Sequence, residues 1–219
     1  MSPRHHPSDA TLLTYAAGSL GEGLSLVVAS HLAFCGDCRD AVAAGELVGG
    51  NLLDTLAPET LATATRERVL AMLGTAPPPA PAAPPQRSID PRLPAPIGRY
   101  LNRDLSAIPW HALGPGLRHF EVVPHDLARG INLRLLRIAP GRRLPRHSHT
   151  GTELTLVLAG SYTDELGRFV RGDVAETDDE IAHEPVSDRD EDCICLIATE
   201  GPLKFESMIA RLFQRFTGV

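Results

Sequence analysis

Lysine is nearly absent from this sequence: Lys204 is the only one among 21 basic residues in a chain of 219. Carboxylates number 27, so the formal net charge is −6, which argues against nucleic acid or an anionic membrane as the direct partner. The scarcity of lysine carries no functional reading by itself. Long apolar runs are missing too. The longest stretch, "GLSLVVASHLAF", is broken by Ser25, Ser30 and His31, which leaves no span for a membrane. The start, "MSPRHHPSDATLL", lacks the apolar core of a secretory signal, so the expected location is cytoplasmic, where thiols stay reduced. Cysteine is sparse: there are four, in the close pairs Cys35/Cys38 and Cys193/Cys195. Metal binding or redox chemistry fits such pairs better than a disulfide framework does.

Proline, in contrast, is concentrated. Residues 76–96, "APPPAPAAPPQRSIDPRLPAP", carry nine of the 19 prolines and read as an extended Pro/Ala-rich linker with no helix or central strand. The expected organisation is therefore multi-domain, α followed by β, with domains at residues 1–75 and 97–219. The first domain reads as four helices. Ser8 and Asp9 offer an N-cap before "ATLLTYAAGSL"; "LSLVVASHLAFC" is a second helix, stopped near Gly36. "CRDAVAAGELVG" is a third, ending at Gly49-Gly50, and "APETLATATRERVLAMLG" a fourth, with Pro58 in its first turn. Four short helices make a poor core, so a domain of this size calls for a staple or a partner. The second domain reads as a β-barrel or sandwich built on "LRHFEVVP", "INLRLLRIAPG", "TELTLVLAGSYTDE" and "DCICLIATEGPLKF", with "SMIARLFQRF" as a terminal helix.

A metal supplies the staple. His31 and Cys35 stand four apart and share a helix face, and Gly36 lets the chain turn so that Cys38 points back at the same spot. Two thiolates and an imidazole suit structural zinc, which takes four ligands. The fourth is expected from His5 or His6 at the start of the chain. With a histidine near the start and H-x3-C-x2-C in a small helical domain, this region resembles the zinc-binding anti-sigma domain. The chain as a whole looks like a member of the ChrR group of anti-sigma factors. That resemblance implies ligands His6, His31, Cys35 and Cys38, and a helical domain that clamps an extracytoplasmic-function sigma factor away from RNA polymerase. Residues 1–75 carry four arginines and eight carboxylates, an acidic module suited to a basic DNA-binding partner. Leu61, Val69 and Met72 of the fourth helix would add apolar contacts.

A second constellation lies in "GRRLPRHSHTGTELTLVLAG", residues 141–160, which reads G-x5-H-x-H-x3-E-x6-G and matches the first cupin motif. His147 and His149, two apart on a strand, face the same way, and Glu153 follows from the next strand. His183 occupies the place of the remaining ligand, although the proline–glycine pair expected before it is missing and Ser187 stands where asparagine is common. Such a set suits zinc or another divalent metal. His111, His119 and His125 fall outside any ligand spacing and read as surface or ordinary polar contacts.

Cys193 and Cys195 share one strand face and read equally well as redox-sensing thiols or as small core residues. The family resemblance implies a cupin-like sensor of singlet oxygen or organic peroxide. In that reading the sensor, through its metal ligands or these cysteines, frees the sigma factor by a conformational change or by proteolysis. The competing expectations are a metal-dependent cupin enzyme, a dioxygenase or isomerase with an accessory zinc module, and a metal-binding sensor without a sigma partner.

Overall fold

The N-terminal third is helical in the computed structural model, which describes residues 2–73, 90–122, 132–201 and 204–205. Helices α1 (Asp9–Ala16), α2 (Glu22–Leu32), α3 (Gly36–Asp54) and α4 (Thr63–Leu73) follow one another. Ser8 caps α1 as its position suggests, its hydroxyl oxygen accepting from the Thr11 amide at 3.2 Å. Helix α3 differs from expectation by running straight through Gly49-Gly50. Each helical glycine costs only about 1 kcal/mol, and the Asn-Leu-Leu-Asp that follows carries the helix one more turn. Gly45 is the glycine with a packing role. A Cβ there would lie 3.0 Å from the Cβ of Ala16 and 3.3 Å from Leu13, so α1 and α3 cross at that point. Helix α4 begins five residues after Pro58 and buries none of its side chains.

The 76–96 segment also departs from the linker reading at its end. Helix α5 (Ala95–Leu101) starts on Pro94 with Pro96 in its first turn, where the missing amide hydrogen is not needed. Leu93, Ile97 and Leu101 are buried, and so is Asp90. Residues 74–89, His125 and the expected terminal helix lie outside the described residues.

Eleven strands follow among the described residues: β1 (His111–Gly114), β2 (Leu117–Glu121), β3 (Asn132–Ile138), β4 (His147–Ser148), β5 (Glu153–Ala159), β6 (Ser161–Asp164), β7 (Gly167–Val170), β8 (Val174–Thr177), β9 (Val186–Ser187), β10 (Cys193–Thr199) and β11 (Lys204–Phe205). They form a six-stranded antiparallel sheet in the order β1-β2-β3-β10-β5-β8, a three-stranded sheet β7-β6-β9 and the pair β11-β4. "TELTLVLAGSYTDE", expected as one segment, divides at Gly160. Its φ is +65°, and the Asp192 carbonyl would lie 2.6 Å from any Cβ there. Only glycine fits, and the chain leaves one sheet for the other.

Register explains which residues face where. Leu136, Cys195 and Val157 lie side by side across β3, β10 and β5, on the face that packs against Tyr162 and Phe169 of the small sheet. The opposite face presents Leu133, Leu135, Leu154, Leu156, Leu158 and Leu196 to the helices, where Leu24, Val27 and Val28 of α2 and Ile97 of α5 join the same apolar cluster. This double burial explains why β5 reads as a nearly continuous apolar run.

Asp90 ties the strap before α5 in place. Its carboxylate accepts from Arg92 Nε (2.9 Å), the Arg92 amide (2.9 Å) and the Leu105 amide (3.1 Å). The Arg92 guanidinium, and then these amides, hold the acid well below the usual carboxylate range. Arg92 is 58% exposed, so water screens part of its share. Asp90→Ala is expected to cost about 1–2 kcal/mol at pH 7 in denaturant unfolding. A depressed carboxyl stabilises the fold above its unfolded pKa, so the difference should begin to shrink below about pH 4. A deficit that does not change between pH 7 and pH 3 would contradict this account.

Candidate metal centres

The first centre forms where α2 ends and α3 begins. Cys35 is the N-cap of α3, its sulfur accepting from the Cys38 amide at 3.4 Å, and Cys38 sits in the first turn. His31, in the last turn of α2, places Nε2 3.3 Å from Cys38 Sγ. The extended segment before α1 brings in His6, whose Nδ1 lies 3.4 Å from both sulfurs. One donor atom from each of His6, His31, Cys35 and Cys38 lies within 4.8 Å of all the others. A tetrahedral ion with bonds of about 2.0 Å to nitrogen and 2.3 Å to sulfur sets N···S separations near 3.5 Å, so the cage has the size such an ion requires. His5 turns the other way and packs against Phe169 in a tilted ring pair, centroids 4.3 Å apart. Of the two candidates in "RHH", His6 is the one beside the thiols.

Electrostatics points in the same direction. Burial, the neighbouring Cys35 sulfur and the charges of Asp37 and Asp9 push the Cys38 thiol up to about 12. Ionising it at neutral pH therefore takes a compensating cation. Burial lowers the His31 pKa, and its Nδ1–H donates to the Gly172 carbonyl at 2.8 Å, which leaves the lone pair on Nε2, facing the cage.

The second centre lies inside the barrel. The backbones of His147 and His183 pair directly, and His147, His149 and His183 bring one nitrogen each within 4.8 Å of the others. Each outer nitrogen has an oxygen beside it. His147 Nδ1 donates to Pro145 O at 2.7 Å and His183 Nδ1 to Asp164 Oδ2 at 2.9 Å. His149 Nδ1 lies 3.1 Å from Glu153 Oε2, at ion-pair distance but off the line a hydrogen bond needs. The two Nε2 atoms of His149 and His183 approach to 3.1 Å. Burial pushes His147 down to about 4, so it is a neutral ring at neutral pH, as a ligand must be. Glu153 stands outside the triad, against His149 and the Thr155 hydroxyl (3.0 Å).

Asp164 carries no ligand spacing in the sequence, yet its carboxylate sets the ring orientation of His183. Cys193 and Cys195 are fully buried, sulfurs 3.6 Å apart, in the core with Leu136 and Val157. The hydrogen bond to Cys193 and burial push the Cys195 thiol well up, so it is un-ionised at neutral pH. These are the properties of core residues. His119, expected at the surface or in an ordinary polar contact, is buried, with no hydrogen-bond partner for Nδ1 among the described residues; His111 lies across from it on β1.

A histidine–thiol cage built by helices against a barrel with its own histidine triad defines a two-centre cupin-like protein. The family model described as the ChrR cupin-like domain matches residues 101–203. The anti-sigma-E factor ChrR of Cereibacter sphaeroides is 45% identical over 217 residues, 99% of each chain. The crystal structure of Rhodobacter sphaeroides SigE in complex with the anti-sigma ChrR matches with a TM-score of 0.78 at 42% identity, covering 90% of this chain and 99% of that one. A Ralstonia eutropha protein with a cupin-like fold matches 52% of this chain and 81% of its own at 22% identity and a TM-score of 0.44. The chain belongs to the ChrR family of anti-sigma factors. Membership places it among transcription regulators and not among the cupin enzymes that the H-x-H-x3-E motif alone would allow.

If both groups take a metal, Cys38→Ala and His149→Ala should each remove one equivalent per chain, read by elemental analysis of dialysed protein. Acid should empty the thiol cage. Binding as thiolates displaces a proton from each of Cys35 and Cys38, so affinity there should fall about a hundredfold for each unit of pH lost. A flat pH profile would rule out thiolate ligation.

Proposed function

We propose that this protein holds an extracytoplasmic-function sigma factor inactive in the cytoplasm and releases it under oxidative stress. Residues 1–75 act as the inhibitory unit, residues 76–96 as the connector and residues 97–219 as the sensor. The observation that carries the proposal is the apolar surface of the helical unit. Leu47, Leu52, Leu53, Leu56, Leu61 and Leu73 are each more than 60% exposed, and Val69, Leu70 and Met72 of α4 are exposed beside them. Exposed leucines along α3, the segment that follows it and α4 offer apolar surface to a protein partner. The related crystal structure, of the anti-sigma ChrR in complex with SigE, agrees with a sigma factor as the occupant. No helix among the described residues is long and apolar enough to cross a membrane, which is compatible with a cytoplasmic site of action.

Zinc is the metal we assign to the His6–His31–Cys35–Cys38 cage, because two thiolates and two imidazoles in a closed tetrahedron favour it and leave no open position for chemistry. That site is structural. The barrel site takes zinc or another divalent cation through His147, His149 and His183. Glu153 is the fourth donor, which requires it to exchange its contact with His149 for the metal. Singlet oxygen or organic peroxide is the class of signal, acting on the barrel half.

The interface is tested with the full chain and its cognate sigma factor by size-exclusion chromatography and titration. The pair should elute as a 1:1 complex. Leu52→Asp with Leu53→Asp should weaken it at least 100-fold without moving the melting temperature, whereas equal affinity in that variant would place the partner elsewhere. His147→Ala with Glu153→Ala should leave inhibition intact and abolish release by oxidant. Loss of inhibition in that double variant would refute the division of labour.

A further inference from the structure

The helical cage is not built by helices alone. The turn between β7 and β8, residues 170–174, reaches across from the barrel and touches the cage on two sides. The Gly172 carbonyl accepts from His31 Nδ1 at 2.8 Å. Asp173, fully buried, accepts from the Arg4 amide at 2.7 Å and the His5 amide at 3.3 Å through Oδ1, and from the Val170 amide at 2.9 Å through Oδ2. The Val174 amide then donates to the His5 carbonyl at 3.1 Å. Residues 4 and 5 are thus held on both sides by the barrel turn, and the next residue is His6.

Space around the turn is also fixed. Gly172 has φ +96°, and a Cβ there would lie 3.2 Å from Pro3 and 3.3 Å from Phe34. Phe34 precedes Cys35 and lies under the Arg171 guanidinium at 5.0 Å, while Arg171 Nε donates to the Leu158 carbonyl at 3.0 Å.

From this geometry we infer that Asp173 and the Gly172 carbonyl are positioning groups for the helical metal centre, so the barrel half sets how tightly that centre holds its ion. The inference rests on reading the His6–His31–Cys35–Cys38 cage as a metal site. The physical argument is pre-organisation. A free N-terminal segment would have to be ordered by the metal itself, whereas here the barrel has already ordered it. The carbonyl on Nδ1 fixes the tautomer of His31 and aims Nε2 inward; partners of this kind typically contribute 10–100-fold to metal affinity.

Asp173→Asn is the test, because it keeps the volume and puts an amide donor where backbone amides converge on two acceptor oxygens. Full-length wild type and variant are titrated with cobalt(II). Thiolate-to-cobalt charge-transfer absorption reports the helical cage alone, since the barrel triad has no sulfur ligand, and equilibrium dialysis gives total cobalt. The variant is expected to need about 10–100-fold more free cobalt to half-saturate the thiolate band while the barrel still binds its equivalent. Gly172→Ala, which displaces the same turn by steric contact, should shift the band in the same direction. An unchanged midpoint in both variants would overturn the inference. Loss of cobalt from the barrel as well would also overturn it, because the effect would then be general unfolding. A wild-type chain without any thiolate band would instead remove the metal reading on which the inference stands.

Discussion

Helix α2 lies against the outer face of the six-stranded sheet, and Leu24, Val27 and Val28 retain at most 1% of their surface there. Burying three such side chains is worth several kcal/mol of transfer free energy, and the rest of the molecule is arranged around that contact. It sets the end of α2 beside the β7–β8 turn, so His31 meets Gly172. It puts Cys35 and Cys38 where the next helix must start. It also uses up the apolar face of α2, which leaves the leucines of α3 and α4 as the exposed surface of the helical unit.

The two centres solve the same physical problem differently. An imidazole offers a metal one nitrogen only if something holds its other N–H. In the barrel, Pro145 O and Asp164 serve His147 and His183 from within the same fold, and Glu153 sits beside the outer nitrogen of His149. In the cage, the corresponding group for His31 comes from the opposite half of the protein. The barrel triad is self-contained, whereas the cage depends on the docking of helix on sheet.

Much of this was legible in the sequence because local chemistry announces itself. Ser8 as a cap, H-x3-C-x2-C at a helix junction and H-x-H on a strand each follow from residues a few positions apart. The apolar strands were legible for the same reason, since alternation and β-branched content are local. What stayed hidden was non-local. The proline density around Pro94 and Pro96 concealed α5, because first-turn prolines look the same as linker prolines until Ile97 finds a core. Gly49-Gly50 looked like a stop, and nothing nearby revealed that α3 has the room to continue. Cys193 and Cys195 kept two readings until their strand face was known. The Gly172 carbonyl lies 141 residues from the ring it holds, and a backbone oxygen has no signature in a sequence.

The spacing of the ligands has a consequence that belongs to polymer physics. Each centre, once it holds an ion, is a cross-link: the first spans 32 positions between His6 and Cys38, the second 36 (183 − 147) between His147 and His183. By the loop-closure estimate used for covalent bridges, each restricts the unfolded chain by about 3–4 kcal/mol. The two loops do not overlap. Between them the chain from residue 39 to 146 is tethered at both ends and cross-linked nowhere, and within it lie the far end of α3 and all of α4. The stretch that no metal cross-link would restrain therefore also carries the exposed leucines of α3 and α4.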